Sequence, residues 1–250
     1  MTYCVAIKVR QGLVAVSDGR ITAGTQVTVA RKNALIGPDD NKFLIMTSGL
    51  RSLRDKTLAY LRRNMREQHP DGYPCLLDAV ADYCACLRQV REEDEEQLTS
   101  ADLHFNLHAV IGGQLRNDPE ATLFLVYPEG NWIEVDERTP YLSVGETSYG
   151  KPILDRALTF DTDMKTALKL AYLSFDSTRI SAADVGFPLD MVTFLTGDRT
   201  WREAQYDYDD VVEQRHWWNS NITQLAAEMP DGPWVQTLAG SHRLTVVKDD

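Results

Sequence analysis

No stretch of this 250-residue chain stays apolar for long. Its longest hydrophobic runs, such as Leu123 to Tyr127, fall far short of the roughly 20 residues that a bilayer span requires. A membrane-spanning class is therefore excluded. The opening residues, Met1-Thr2-Tyr3-Cys4-Val5, lack the basic and apolar segments of an export signal, so a cytoplasmic location is expected. Positive charge is also scarce: 26 Lys and Arg against 37 Asp and Glu leave a net charge of -11. Phosphate backbones are held mainly by cations, so nucleic acid is excluded as a partner. Cysteine is limited to Cys4, Cys75, Cys84 and Cys86, which without an export signal read as reduced, buried thiols. The Cys84-x-Cys86 pair has no second Cys/His pair at zinc spacing, so no metal site is expected. What remains is an ordinary globular composition, 43% hydrophobic and 25% charged.

Short apolar alternations with turn signals between them predict strands at Thr2 to Val9, Leu13 to Ser17, Gln26 to Ala30 and Lys42 to Thr47. The period then lengthens. Leu50, Leu53, Leu58, Leu61 and Met65 mark a helix ending before His69-Pro70, and Leu76 to about Leu98 marks a second. The acidic run Glu92 to Glu96 reads as its solvated end. A second set of strands is predicted at Leu103 to Ile111, Thr122 to Tyr127, Trp132 to Val135 and Tyr141 to Val144. Helices follow at Tyr149 to Leu158 and Met164 to Ser177, and the last strand is Leu189 to Leu195. Strands and helices in alternating blocks argue for layers, with helices on the outer faces of two packed sheets. Residues 1–196 form one domain on this reading. Residues 197–250 are a C-terminal extension carrying Trp201, Trp217, Trp218 and Trp234 and an amphipathic run from Val211 to Met229, expected to pack on the domain or on a neighbouring subunit.

A threonine hydroxyl needs a base to become a nucleophile, and an N-terminal threonine carries one as its own α-amino group, with a pKa of about 8. Thr2 becomes N-terminal once Met1 is removed, and a residue as small as Thr permits that removal. Ser17-Asp18-Gly19-Arg20 ends the second strand in a turn, where a hairpin partner brings the Asp18 carboxylate beside Thr2. Arg31-Lys32 follows, and Ser48-Gly49 ends the strand before the first helix. A buried Lys beside an Asp stays ionised and lowers the pKa of a nearby hydroxyl or amine. Gly49 leaves an amide accessible at a helix start, which suits an oxyanion. Each of these residues alone also has a purely structural reading: Asp18 as a turn former, Lys32 as a solvated strand end, Gly49 as a helix cap.

Taken together, Thr2, Ser-Asp-Gly-Arg at 17–20, Lys32 and Ser48-Gly49 resemble the active-site frame of proteasome β-type subunits. The stretches Met1-Thr-Tyr3, Tyr141-Leu-Ser-Val-Gly-Glu-Thr-Ser-Tyr-Gly-Lys-Pro-Ile-Leu-Asp-Arg156 and Val185-Gly-Phe-Pro-Leu-Asp190 are similar to Anbu, the bacterial proteasome-related peptidase group. The resemblance covers residues 2 to 195. It implies an α+β fold, the four-layer αββα sandwich of N-terminal-nucleophile hydrolases. It also implies an N-terminal threonine peptidase that hydrolyses amide bonds through an acyl-enzyme, without a metal or organic cofactor. Thr2 is then the nucleophile, Asp18 orients Lys32, Lys32 tunes the hydroxyl, Gly49 supplies the oxyanion amide and Ser148 supports the amine. Ser181 and Asp184 stand where the family shows Asp followed three residues later by Ser, and Glu146 stands where a small hydroxyl is usual. Ile21, Thr47 and Arg51 approach the first specificity pocket, with Arg51 suited to an acidic or polar side chain. The implied partners are a peptide or unfolded-protein substrate and further copies of the chain, in a ring or open spiral. No ATPase docking motif is identifiable. Two other functions fit the same residues: an assembled binding or scaffolding protein that hydrolyses little, and an amidase acting on a small non-peptide substrate.

Overall fold

A computed structural model of the chain describes residues 2–23 and 26–239. Met1, and with it the expected processing of the N-terminus, lies outside the described residues, as do residues 240–250. The first hairpin is formed by β1 (Tyr3–Val9) and β2 (Gly12–Asp18), in which every residue is buried. Alternate side chains of β1 have different surroundings. Cys4 and Ala6 enter the space between two sheets, while Tyr3 meets Phe175 of a helix, ring to ring at 6.4 Å. Burial on both faces explains why this hairpin reads as nearly continuous apolar sequence.

Next come β3 (Arg20–Ala23) and β4 (Gln26–Val29), which pair only with each other. Then follow β5 (Asn33–Ile36), β6 (Phe43–Ser48), α1 (Arg51–Gln68), α2 (Leu76–Ser100), β7 (His108–Gly113), β8 (Thr122–Val126), β9 (Trp132–Glu134) and β10 (Tyr141–Gly145). The chain continues with α3 (Lys151–Ala157), α4 (Met164–Ser181), β11 (Leu189–Leu195) and β12 (Thr200–Tyr206). Helix α1 stops before His69-Pro70 because a residue preceding proline is disfavoured in helical geometry. Helix α4 starts at Asp163, whose carboxylate accepts the Thr166 amide at 3.1 Å.

One sheet has the order β10-β1-β2-β11-β12 and the other β5-β6-β7-β8-β9, all antiparallel. The sheets pack face to face through Ala6, Leu13, Leu44, Met46, Val110, Leu123 and Phe194. Helices α1 and α2 cover the second sheet through Leu53, Leu61, Val80, Tyr83 and Leu87, and α4 covers β1 and β2 of the first. Each fully buried side chain of this size contributes about 1.5–3 kcal/mol through removal from water. The result is the four-layer αββα sandwich.

Three departures from the sequence expectation have physical causes. The strand expected from Leu103 begins only at His108, and Leu103 is exposed. The strands β3 and β5 were not expected: β3 begins at Arg20, inside the Ser17-Asp18-Gly19-Arg20 turn signal, and Asn33-Ala-Leu-Ile36 of β5 does not alternate. Strand β12 was expected to be part of an extension, yet it pairs with all seven residues of β11. Only Trp201 of β12 is substantially covered, so the strand lacks an apolar face to betray it. The chain accordingly divides into compact units between Tyr208 and Asp209, twelve residues beyond the boundary expected after residue 196. The second unit contains α5 (Val212–Glu228) and α6 (Pro233–Leu238), with Trp217, Leu225, Trp234 and Leu238 exposed.

Candidate active site

A cavity of about 870 Å³ opens at the ends of β1, β6 and β10. Thr2, Ile21, Lys32, Thr47, Gly49 and Arg51 all line it, so the structure brings together six of the residues singled out in the sequence. Asp18 lies beneath them, fully buried.

Thr2 is held by its successor and by a neighbouring strand. Its carbonyl accepts the Glu146 amide at 2.7 Å, and the Tyr3 amide donates to Asp18 Oδ1 at 2.8 Å. The Tyr3 phenol hydrogen-bonds Ser174 of α4, which ties the start of β1 to the helical layer. The Lys32 ammonium donates to the same Asp18 oxygen at 2.6 Å, and the Gly186 amide approaches Oδ2 at 3.4 Å. Lys32 is only 6% exposed, so its reading as a solvated strand end is corrected: it is half of a buried ion pair. Burial pushes the Asp18 carboxyl above its ordinary value, and the charge and donors of Lys32 oppose that rise. Cys4, buried beside this cluster, has its thiol pushed up by the same loss of solvent and is no competing nucleophile.

At the other side of Thr2, Gly49 has a φ of +135°, a conformation that side chains strain to adopt. A Cβ there would fall 2.6 Å from the Asn106 carbonyl. Asn106 also caps the start of α1, its Oδ1 accepting the Leu50 amide at 3.1 Å. The start of α1, with Gly49, Leu50 and Arg51, thus lines the cavity and brings the positive end of the helix dipole to it.

Ser148, Ser181 and Asp184 are placed differently. None of them lines the cavity. Ser148 is exposed, and its amide donates to the Glu146 carboxylate at 3.2 Å. Ser181 is the last, exposed residue of α4, and Asp184 is half-buried in the loop after it. From that loop it is the Gly186 backbone amide that reaches Asp18. Several lining residues were not anticipated: Thr22, Arg54, Asn106, His108 and Tyr127. Arg54 could have been found, since it follows Arg51 by three residues and shares its helix face. Asn106 and His108 come from a distant segment, without a local signal.

A buried Lys–Asp pair next to a threonine at the edge of an αββα sandwich defines a proteasome-like hydrolase, and the chain belongs to the proteasome subunit family, whose profile matches residues 2–191. "Proteasome subunit beta 1" of Pyrobaculum arsenaticum is 24% identical over 200 residues, 79% of this chain and 92% of that protein. Solved structures narrow the family to Anbu. The helical assembly of the Anbu complex from Pseudomonas aeruginosa is 32% identical, with a TM-score of 0.85 over 92% of this chain and 98% of that one. Anbu from Yersinia bercovieri is 28% identical, with a TM-score of 0.80 over 92% and 98% of the two chains.

Proposed function

We propose that this chain is an N-terminal threonine peptidase. The observation that carries the reading is the convergence of Thr2, Lys32 and Gly49 on one cavity above the buried Asp18 carboxylate. With Met1 removed, the free amine of Thr2 takes the proton of its own hydroxyl, and Oγ1 attacks the scissile carbonyl carbon. The Gly49 amide, at the start of α1, receives the oxyanion. Collapse of the tetrahedral intermediate breaks the C–N bond, the departing amine takes the proton, and an ester to Thr2 remains. Water, deprotonated by the amine, then attacks the ester and restores Oγ1–H. Lys32 stays protonated against Asp18 and lowers the energy of the developing alkoxide. Ile21, Thr47 and Arg51 line the first side-chain pocket. Ser148, Ser181 and Asp184 act from the rim, through the turn after β10 and the loop after α4.

The relatives suggest where this chemistry takes place. The Anbu complex of P. aeruginosa is a helical assembly, and self-association in a ring or open spiral is the corresponding proposal here, with the exposed aromatics of α5 and α6 against a neighbouring copy. The free thiols of Cys4, Cys75, Cys84 and Cys86 accord with a reducing cytoplasm. Peptides or unfolded chains are the substrates.

Intact-mass spectrometry with an epoxyketone tests the nucleophile. The expected result is a mass lacking Met1 and a single adduct on Thr2. A full-length mass without adduct would overturn the peptidase and favour an assembled scaffold, a reading also motivated by the exposure of Ser148 and Ser181.

A further inference from the structure

The chain carries a net charge of -11, yet among the described residues the wall of the cavity holds Lys32, Arg51, Arg54 and His108 and no Asp or Glu. The ionic groups behind the wall show which of these charges are already neutralised. Lys32 is matched by Asp18 at 2.6 Å. Arg51 and Arg54 share one carboxylate, Asp55: Arg51 reaches it by Nε at 3.3 Å, Arg54 by Nε at 2.9 Å and Nη2 at 2.7 Å. Two guanidiniums against one carboxylate leave one positive charge facing the cavity. Glu146, between the wall residues Gly145 and Thr147, turns its carboxylate to the Ser148 amide.

The two arginines are held differently. Arg54 is covered and fixed, its Nη1 donating to the Arg31 carbonyl at 3.0 Å. Arg51 is 65% exposed and holds Asp55 by Nε alone. Among the described residues its two terminal nitrogens make no hydrogen bond, and together they form the planar fork that matches a carboxylate. Asn106, His108 and Tyr127 add neutral polar groups to the same cavity, and Ile21, Leu50 and Leu125 supply apolar wall for an aliphatic stem.

We propose that this cavity selects peptides presenting an acidic side chain, Asp or Glu, whose carboxylate is received by Arg51, with Arg54 holding Asp55 behind it. The inference rests on the reading of Thr2 as the nucleophile for the position of the scissile bond, but its electrostatic content can be read separately. A glutamine side chain has the size of glutamate and the same apolar stem, so the difference between the two isolates the charge. A lysine side chain meets the one unneutralised positive charge and is rejected.

The test uses the full-length assembled protein and two fluorogenic peptides differing only by Glu or Gln before the scissile bond. The expected ratio of kcat/KM is at least about tenfold in favour of Glu at low salt, shrinking as ionic strength rises. Arg51→Gln brings the ratio towards one, and its melting curve shows that this exposed substitution leaves the fold intact. Equal turnover of both peptides, or a ratio that survives Arg51→Gln, overturns the inference while the peptidase stands. If neither peptide is cleaved, the peptidase reading fails. Binding of the uncleavable N-acetyl amides to the same protein by calorimetry then decides the selectivity: tighter binding of the Glu peptide, lost in Arg51→Gln, supports it, and equal binding overturns it.

Discussion

Asp18 and Lys32 are buried and bound at 2.6 Å, whereas Ser148 and Ser181, which the proposed function assigns to the rim of the site, are exposed. The floor is built from Asp18, at the end of the interior strand β2, and from Lys32, in the loop just before β5, and the two charges are committed to each other. The rim is built from a turn and a helix end, and its hydroxyls are left for something else to position. The contrast teaches that one protomer specifies the charged pair beneath Thr2 by itself, while on the proposed mechanism the hydroxyls of Ser148 and Ser181 would need closure, substrate or a neighbouring copy to reach the amine.

The sharpest break of this contrast begins at the nucleophile. Thr2→Ala is expected to abolish adduct formation and lower peptide hydrolysis by at least about 10³-fold, because the other hydroxyls of the wall, such as Ser48 and Ser143, carry no α-amine of their own to act as base. Lys32→Ala is the next largest. It leaves the Asp18 carboxylate buried and unpaired, which costs about 3–5 kcal/mol in urea unfolding, together with a drop in kcat of about 10²–10⁴-fold. Lys32→Met, which keeps the chain length, is expected to restore part of the stability and none of the rate. Acid acts on the same pair. Asp18 has a raised pKa from burial, so as pH falls through that value its carboxylate takes a proton and Lys32 loses its counter-charge. Activity should therefore decline at a higher pH than an ordinary carboxylate of about 3.9 would give, and a kcat profile from pH 4 to 9 measures it.

Gly49→Ala tests the other side of Thr2. The added Cβ meets the Asn106 carbonyl at 2.6 Å at a φ of +135°, and a strained backbone of this kind costs about 1–3 kcal/mol. A lower melting temperature with a lower kcat is expected. The smallest effects are assigned to the rim: Ser148→Ala, Ser181→Ala and Asp184→Asn should each change kcat by less than about tenfold. A loss at any of these positions as large as that of Lys32→Ala would overturn the contrast between floor and rim.

The floor was also the part most legible in the sequence. Ser17-Asp18-Gly19 ends a strand whose alternation is plain, and the two-residue connection Arg10-Gln11 forces β2 back along β1, bringing Asp18 to Thr2. Lys32 and Gly49 follow from their places beside further strand ends. The rest resisted for identifiable reasons. Asn106 and His108 reach the cavity only because β7 pairs with β6, with Ser48 opposite His108, and no local pattern announces a pairing across two intervening helices. The strand β12 turns charged and polar residues to solvent along almost its whole length, so a search for apolar alternation passes over it. The positions of Ser148, Ser181 and Asp184 relative to the cavity depend on turn geometry, which the residue types leave open.

That overlooked strand has a consequence for motion. By pairing with β11 it makes β11 an interior strand, and β11 in turn encloses β2, so Ser17 has paired neighbours on both sides, Cys4 and Asp190, and Asp18 is paired with Leu189. Amides in such a position exchange with solvent only when the whole domain opens. Gly145 and the residues after it end the opposite edge strand, β10, where local fraying is cheap. Deuterium should therefore enter the Glu146–Ser148 turn long before it reaches Ser17 and Asp18, and the breathing of the site would be confined to its β10 side.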